Sequence, residues 1–191
     1  MLDKLLGRVF GGAGDGNGVG GARTTTGLVL SLPAPLRTAV ENRIPDLIPT
    51  SQLFHDLLSG ARGSVKIFSP YVDPSFTGCI QACRVPAQIV TTLRDSKMRA
   101  SPVLERLAAE RALAVRYLHE SKGRTQMFQM HAKMILCDRE RAYIGSANFT
   151  DTSLHYNLEL GLCLDDRALI DSLHKLFDYV FESVARPSNQ L

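Results

Sequence analysis

No run of apolar residues in this 191-residue sequence approaches the roughly 18 to 20 that a helical membrane span requires. Nor does the start read as a secretory signal. Met1–Phe10 is short and mixed in charge, and it is followed by glycines rather than by a small-residue cleavage site. Cysteine is sparse. Cys79, Cys83, Cys137 and Cys163 are too few for the disulfide framework of a secreted chain, so reduced thiols and a cytoplasmic location are expected. Cys137 and Cys163 lie in apolar runs, where a free cysteine behaves as a small core residue. Cys79-x3-Cys83 has no matching His or Cys pair nearby at ligand spacing, which argues against zinc. Charge of one sign is also scarce. The balance of 22 basic against 19 acidic side chains permits an anionic partner without demanding one.

What is present suffices for one ordinary domain. With 45% apolar and 21% charged residues the chain can bury a core, which sets aside disorder and fibres. Residues 1–27 stand apart. Seven of the eleven positions from Gly11 to Gly21 are glycine, a composition that reads as a flexible tail. Gly16-x-Gly18-x-x-Gly21 matches a dinucleotide fingerprint by letters only, with no preceding strand and no following helix. The globular domain is expected over 28–191.

Within it, periodicity predicts helices over Leu36–Leu47 and Ser51–Leu58, the latter capped by Ser51. A strand follows at Val65–Val72, a short helix at Thr77–Cys83 and a strand at Gln88–Leu93. Ser101 and Pro102 open a helix running to about Ala112, and Ala114–Leu118 is a strand. A polar loop, Ser121–Gln126, precedes strands at His131–Cys137, Arg141–Ile144 and Leu158–Leu164. An amphipathic helix closes the chain over Asp166–Ala185. Strands alternating with helices predict an α/β fold, a mixed sheet covered on both faces. No internal repeat appears.

The chemistry concentrates late in the chain. Side chains two apart in a strand share a face, so His131 and Lys133 are expected to project together. Ser146 and Asn148 repeat that relation, and so do Asn157 and Glu159. Three strands would thus each bring a polar pair to one end of an apolar sheet, where unpartnered polar groups are costly unless they form a site. Imidazole is a nucleophile at neutral pH, and an ammonium beside it is a point charge for phosphate. Hydroxyl and amide donors hold further phosphate oxygens, and a carboxylate can fix a histidine tautomer. No paired carboxylates or His/Cys clusters accompany them, so neither metal nor other cofactor is called for.

His131-x-Lys133-x4-Asp138-x6-Gly145-Ser146-x-Asn148 resembles the HKD signature of the phospholipase D superfamily. His-x-Lys-x4-Asp alone arises by chance with a probability of order 1%, and the added Gly-Ser-x-Asn lowers that to roughly one in a million. The resemblance runs from Val65 to about Ala185. It implies that His131 attacks phosphorus and forms a phosphohistidine. Lys133 and Asn148 would bind phosphate oxygens, Ser146 would assist, Asp138 would support the site and Glu159 would orient the nucleophile. By strand parity Asp138 does not share the face of His131, which agrees with a structural role.

That family normally uses two HKD motifs, and this sequence has one. No lysine stands two residues after His55, His119, His155 or His174. The resemblance therefore implies a two-fold homodimer in which one His131 is nucleophile and the other general acid. Small members of this kind are dimers and many are nucleases; some occur in bacterial anti-phage systems, so a larger defence complex is among the implied partners. From Arg84 to Arg124 nine basic residues stand against four acidic ones, a net +5. Arg94, Lys97 and Arg99 after one strand, with Lys122 and Arg124 before the catalytic strand, are candidates for tracking a DNA or RNA backbone. Phe128 and Tyr71 are expected in the core rather than stacked on bases, and His55, His119 and His174 on the surface or satisfied in the core. The expected function is a metal-independent phosphodiesterase cutting nucleic acid. Action on phospholipid, or a nucleic-acid-binding role within a complex, are the alternatives.

Overall fold

The computed structural model describes residues 26–44, 46–93, 101–110, 112–122 and 125–190, with the backbone alone for 120–122 and 125–129. Arg94, Lys97, Arg99 and Arg124 lie outside the described residues, as does the glycine-rich tail up to residue 25. Eight strands form one mixed sheet: β1 (Gly27–Ser31), β2 (Ile48–Pro49), β3 (Val65–Phe68), β4 (Ala87–Thr91), β5 (Leu113–Tyr117), β8 (Met134–Cys137), β9 (Arg141–Gly145) and β10 (Glu159–Leu164). Their spatial order is β2-β1-β10-β9-β8-β3-β4-β5, and β6 (His119–Lys122) pairs with β7 (Thr125–Gln129) in a separate hairpin. β3, β4 and β5 are parallel to one another, whereas β3, β8, β9, β10 and β1 run antiparallel in succession. The α/β class and the mixed sheet match the sequence pattern.

Each buried element follows from its apolar spacing. β8, Met-Ile-Leu-Cys, is buried at all four positions because it is central and covered on both faces. On one face α2 (Thr50–Gly60) contributes Leu53, Phe54, Leu57 and Leu58, α3 (Ser75–Ala82) Phe76 and Ile80, and α4 (Pro102–Glu110) Leu104 and Leu107. These pack on Val29, Ile67, Ile89, Ile135 and Tyr143 of the sheet. On the other face α5 (Arg167–Tyr179) buries Ile170, His174 and Phe177, at positions i, i+4 and i+7. They meet Phe68, Met134, Leu136 and Leu164. Asp166 caps this helix by accepting from the Leu169 N–H at 2.8 Å. The remaining helix, α1 (Ala34–Glu41), buries no residue.

Several boundaries differ from expectation for local reasons. The helix expected to reach Leu47 ends at Glu41, short of Pro45, which cannot continue it. α2 starts at Thr50 behind Pro49, so Ser51 lies inside its first turn and is not its cap. The strand expected to Val72 stops before Pro70, and Val72 keeps only a bridge to Phe149. The last helix widens after Tyr179 into a π-type turn over Val180–Val184, where Arg116 donates to the Phe181 carbonyl. Of the loop expected over Ser121–Gln126, Ser121–Lys122 and Thr125–Gln126 are instead strand residues of the β6–β7 pair. β1 and β2 had no counterpart in the sequence reading. All four cysteines are free thiols, three of them buried.

The turn between β8 and β9 ties the sheet to its neighbours. Asp138 adopts φ 54°, and its carboxylate accepts the backbone N–H groups of Arg62, Gly63 and Ser64 at 3.0, 2.7 and 2.9 Å. The buried His174 ring donates from Nε2 to the Asp138 carbonyl at 2.5 Å, which makes it a satisfied core histidine. Burial disfavours the Asp138 anion, but the three N–H donors and the Arg62 charge outweigh it and hold the carboxyl below its ordinary range. Replacing Asp138 by Ala is therefore expected to cost about 2 kcal/mol in urea unfolding at pH 7. Because the folded-state pKa is the lower one, this contribution is complete above the ordinary value of 3.8 and fades as pH falls through the lower, folded value. The wild-type advantage over Asp138→Ala should then vanish in strong acid.

Candidate active site

The C-terminal ends of β3, β4, β5 and β9 and the N-terminal ends of β8 and β10 share one edge of the sheet, and the motif residues gather there. β8 begins only at Met134, so His131 and Lys133 stand on the segment leading into it rather than within a strand. They still meet. Lys133 Nζ lies 3.1 Å from Nδ1 and 3.2 Å from Nε2 of His131 and donates to the His131 carbonyl at 2.9 Å. The imidazole is exposed, whereas Lys133 is buried. Burial pulls the lysine pKa below its ordinary value, against the opposing pull of the nearby Glu159 charge.

The Gly145–Asn148 turn is pinned from several sides. The Gly145 N–H donates to the Lys133 carbonyl at 3.3 Å and the Ser146 N–H to the Leu160 carbonyl at 2.9 Å. The Ala147 N–H donates to the Tyr143 hydroxyl, and the Phe149 N–H to the hydroxyl of buried Ser69, both at 3.2 Å. Ser146 Oγ donates to Glu159 Oε2 at 2.5 Å and accepts from the Leu160 N–H at 3.0 Å. Asn157 Nδ2 donates to Glu159 Oε1 at 3.0 Å. Glu159 is thus held by Ser146 and Asn157, and none of the described hydrogen bonds joins it to His131. Asn148 differs from all of these. Its Oδ1 is buried and finds no partner among the described residues. A buried acceptor left unmet suits a donor, an N–H or O–H, while the Nδ2 of the same amide can donate.

His131, Lys133, Ser146, Asn148 and Glu159 therefore converge, while Asp138 sits at the far end of β8, gripping the loop before β3. Lys122 ends β6, at the tip of the hairpin that leads into His131. His55 is a surface residue, and His119 is half-buried, its Nδ1 without a partner among the described residues. Tyr71 departs from expectation: it is 43% exposed, just past the end of β3, because Pro70 ends the strand before it. Sequence reasoning missed Tyr143 and Ser69, whose hydroxyls serve backbone N–H groups across the fold. Only the two glycines facing Tyr143 could have hinted at the first of them.

Beside His131 an open groove of about 470 Å³ is lined by Phe68, Met134, Ile144, Leu173 and Leu176. The same face of the sheet runs on through β10 to β1. There Leu28 and Leu30 of β1 stand opposite Leu162 and Leu160 of β10, and the two β10 leucines are 45% and 55% exposed. α5 itself turns Leu169, Leu176 and Tyr179 outward.

A family model described as the PLD-like domain of cardiolipin synthase matches residues 54–181, well over half of the chain. Among solved structures, NucT from Helicobacter pylori has a TM-score of 0.65 at 18% identity, covering 86% of this chain and 99% of that one. Nuc from Salmonella typhimurium, a phospholipase D family member, gives 0.63 at 18% identity, with 86% and 98% covered. Phosphatidylserine synthase from Haemophilus influenzae gives 0.58 at 13% identity, with 88% of this chain but 41% of that one covered. A search of curated proteins finds no match.

The hydrogen bonding separates two neighbours in the turn. Ser146→Ala removes a bridge between β9 and β10 and is expected to cost about 1–2 kcal/mol in urea unfolding. Asn148→Ala removes an amide whose oxygen has no partner and should change stability by no more than about 0.5 kcal/mol.

Proposed function

The chain belongs to the phospholipase D-like domain family, and we propose that within it this protein is a metal-independent endonuclease. It would cut DNA or RNA as a homodimer through a covalent phosphohistidine. Phosphodiesterase-type chemistry is what the family and its fold support. The observation that carries the finer reading is the meeting of His131, Lys133, Ser146, Asn148 and Glu159 at one sheet edge, in a chain with a single His-x-Lys. In the first step an imidazole nitrogen of His131 attacks phosphorus. The N–P bond forms, the P–O bond to the leaving nucleoside breaks, and the leaving oxygen takes its proton from the partner's His131. Water then attacks phosphorus, giving its proton to the partner's His131 while the P–N bond breaks and frees the nucleophile.

Lys133 and Asn148 would hold the non-bridging oxygens. The ammonium supplies charge, and the Asn148 amide would donate from Nδ2 to a phosphate oxygen. Glu159, engaged with Ser146 and Asn157 rather than with its own His131, keeps lone pairs for the partner's His131 across the two-fold axis. The leucines of β1 and β10 form a bare strip beside α5, and α5 has an outward apolar stripe. Two-fold pairing lays the α5 of each copy on the bare strip of the other and brings the two histidine edges together. The basic stretch from Arg84 to Arg124 and exposed Tyr71 favour a polynucleotide, whose backbone and bases they would meet. A part in an anti-phage complex fits the same chemistry.

The apolar groove beside His131 favours one second reading, a phosphatidyl transferase or phospholipase whose acyl chain lies in that groove. Both readings meet in one assay. The purified protein and His131→Ala are given single-stranded DNA, duplex DNA, RNA and phospholipid vesicles in EDTA. Nucleic-acid cleavage that survives EDTA and falls by about 10³-fold or more in the variant is the expected result. Activity confined to vesicles would establish the second reading, and strict Mg²⁺ dependence would refute both. Sedimentation should show a dimer, and an active monomer would rule out the shared site.

A further inference from the structure

In the antiparallel pairing of β9 with β10, Tyr143 stands opposite Cys163 and Gly145 opposite Gly161, and the same register places Ala147 opposite Glu159. All six positions are on the face covered by α2. The Tyr143 ring is 1% exposed, packed edge-on against Phe54 with centroids 4.8 Å apart. From there it lies along the sheet towards the catalytic edge. A Cβ on Gly161 would overlap the ring. One on Gly145 would overlap the hydroxyl and come within 2.7 Å of the Gly161 Cα and the Leu160 carbonyl. The ring thus occupies the space of two missing side chains. A tyrosine reaches about two residues along a strand, roughly 6.6 Å, so its hydroxyl emerges at the next pair, where it accepts the Ala147 N–H at 3.2 Å.

We propose that Tyr143 is a positioning residue for the phosphodiester site, a buried strut that sets the Ser146–Asn148 turn against Glu159 and requires glycine at both 145 and 161. This rests on the function proposed above. Ala147 stands between the serine that holds Glu159 and the asparagine left open for phosphate, so fixing its N–H fixes both neighbours. Burial, and after it the Glu159 charge, push the phenol up to about 12, against the pull of the Ala147 N–H. The strut therefore stays neutral at any working pH and acts by geometry and hydrogen bonding. Misplacing a phosphate ligand by a fraction of an ångström weakens the transition state more than substrate binding.

The test compares wild type with Tyr143→Phe, which keeps the ring and removes the hydroxyl. Turnover is followed on bis(p-nitrophenyl) phosphate, and amide hydrogen exchange is followed at Ala147. The expected result is a kcat about tenfold lower with KM within about twofold, and an Ala147 amide exchanging at least about tenfold faster while core amides of β8 stay protected. A folded Tyr143→Phe with wild-type kcat, or with Ala147 as protected as in wild type, overturns the proposal. A purely structural role would lower the unfolding midpoint and leave kcat per folded molecule unchanged, which also overturns it. If wild type itself turns over no diester, the proposed function fails, and exchange at Ala147 alone decides the strut. A second variant covers misfolding. Gly161→Ala should be strongly destabilising in the wild-type background and nearly neutral beside Tyr143→Ala, whereas equal costs in both backgrounds would refute the ring–glycine lock.

Discussion

The register of β8, β9 and β10 is the constraint on which the rest of this structure depends. Strand side chains alternate between faces, so a slip of one residue between any two of these strands would move a polar pair to the wrong side. Lys133 and Glu159 lie on the α2 side of the sheet; the leucines of β10 lie on the α5 side. Such a slip would expose the charges to one layer and the leucines to the other. Asp138 holds the register at the far end through three backbone N–H groups and the His174 contact. Tyr143 holds it at the catalytic end. Between these anchors β8 is fully buried, and its ladder has no solvent with which to exchange partners.

A buried ammonium and a buried carboxylate at one sheet edge are expensive, and the fold limits the cost by giving each several partners. Lys133 leans on a carbonyl and an imidazole, and Glu159 on a hydroxyl and an amide. Asn148 is the exception, with a buried oxygen that meets nothing. The contrast between neighbours separates groups that build the edge from one whose oxygen takes no part in holding it. A site needs both kinds, since preorganised groups hold their geometry only if other groups fix them.

The motif was legible in the sequence because the chemistry fixes residue types and spacing. His131, Lys133, Ser146, Asn148 and Glu159 could be placed at one sheet edge from strand parity, even though His131 and Lys133 precede β8 rather than belong to it. The parity that set Asp138 apart agrees with its grip on residues 62–64. What escaped was whatever depends on distant residues. Nothing local marks Tyr143 as more than a core aromatic. Its meaning lies in two glycines, one of them 18 positions away in another strand. The β6–β7 hairpin escaped because the sequence over 119–129 carries no regular apolar alternation to mark two strands, although they pair with each other. The helix over residues 36–47 was overextended because Ile44 and Leu47 continue the apolar period past Pro45, where the backbone cannot follow.

Two shortages coincide at the catalytic edge. Only one of the chain's five histidines stands in a His-x-Lys, where the proposed displacement and protonation of the leaving oxygen want two. Among the described residues α5 is the long helix on one face of the sheet, and Leu160 and Leu162 stay exposed beside it. The bare strip of β1 and β10 begins at Leu160, the residue whose N–H and carbonyl both bond Ser146, so the uncovered face and the half-built site share a border. A lipid chain in the groove would cover part of the apolar surface and leave the acid missing. In the proposed dimer a second copy would supply a helix and a histidine together, at one border and by one rotation. A single partner that removes both shortages is the simpler physical account, and it would make the chemistry depend on an interface rather than on a second motif in the same chain.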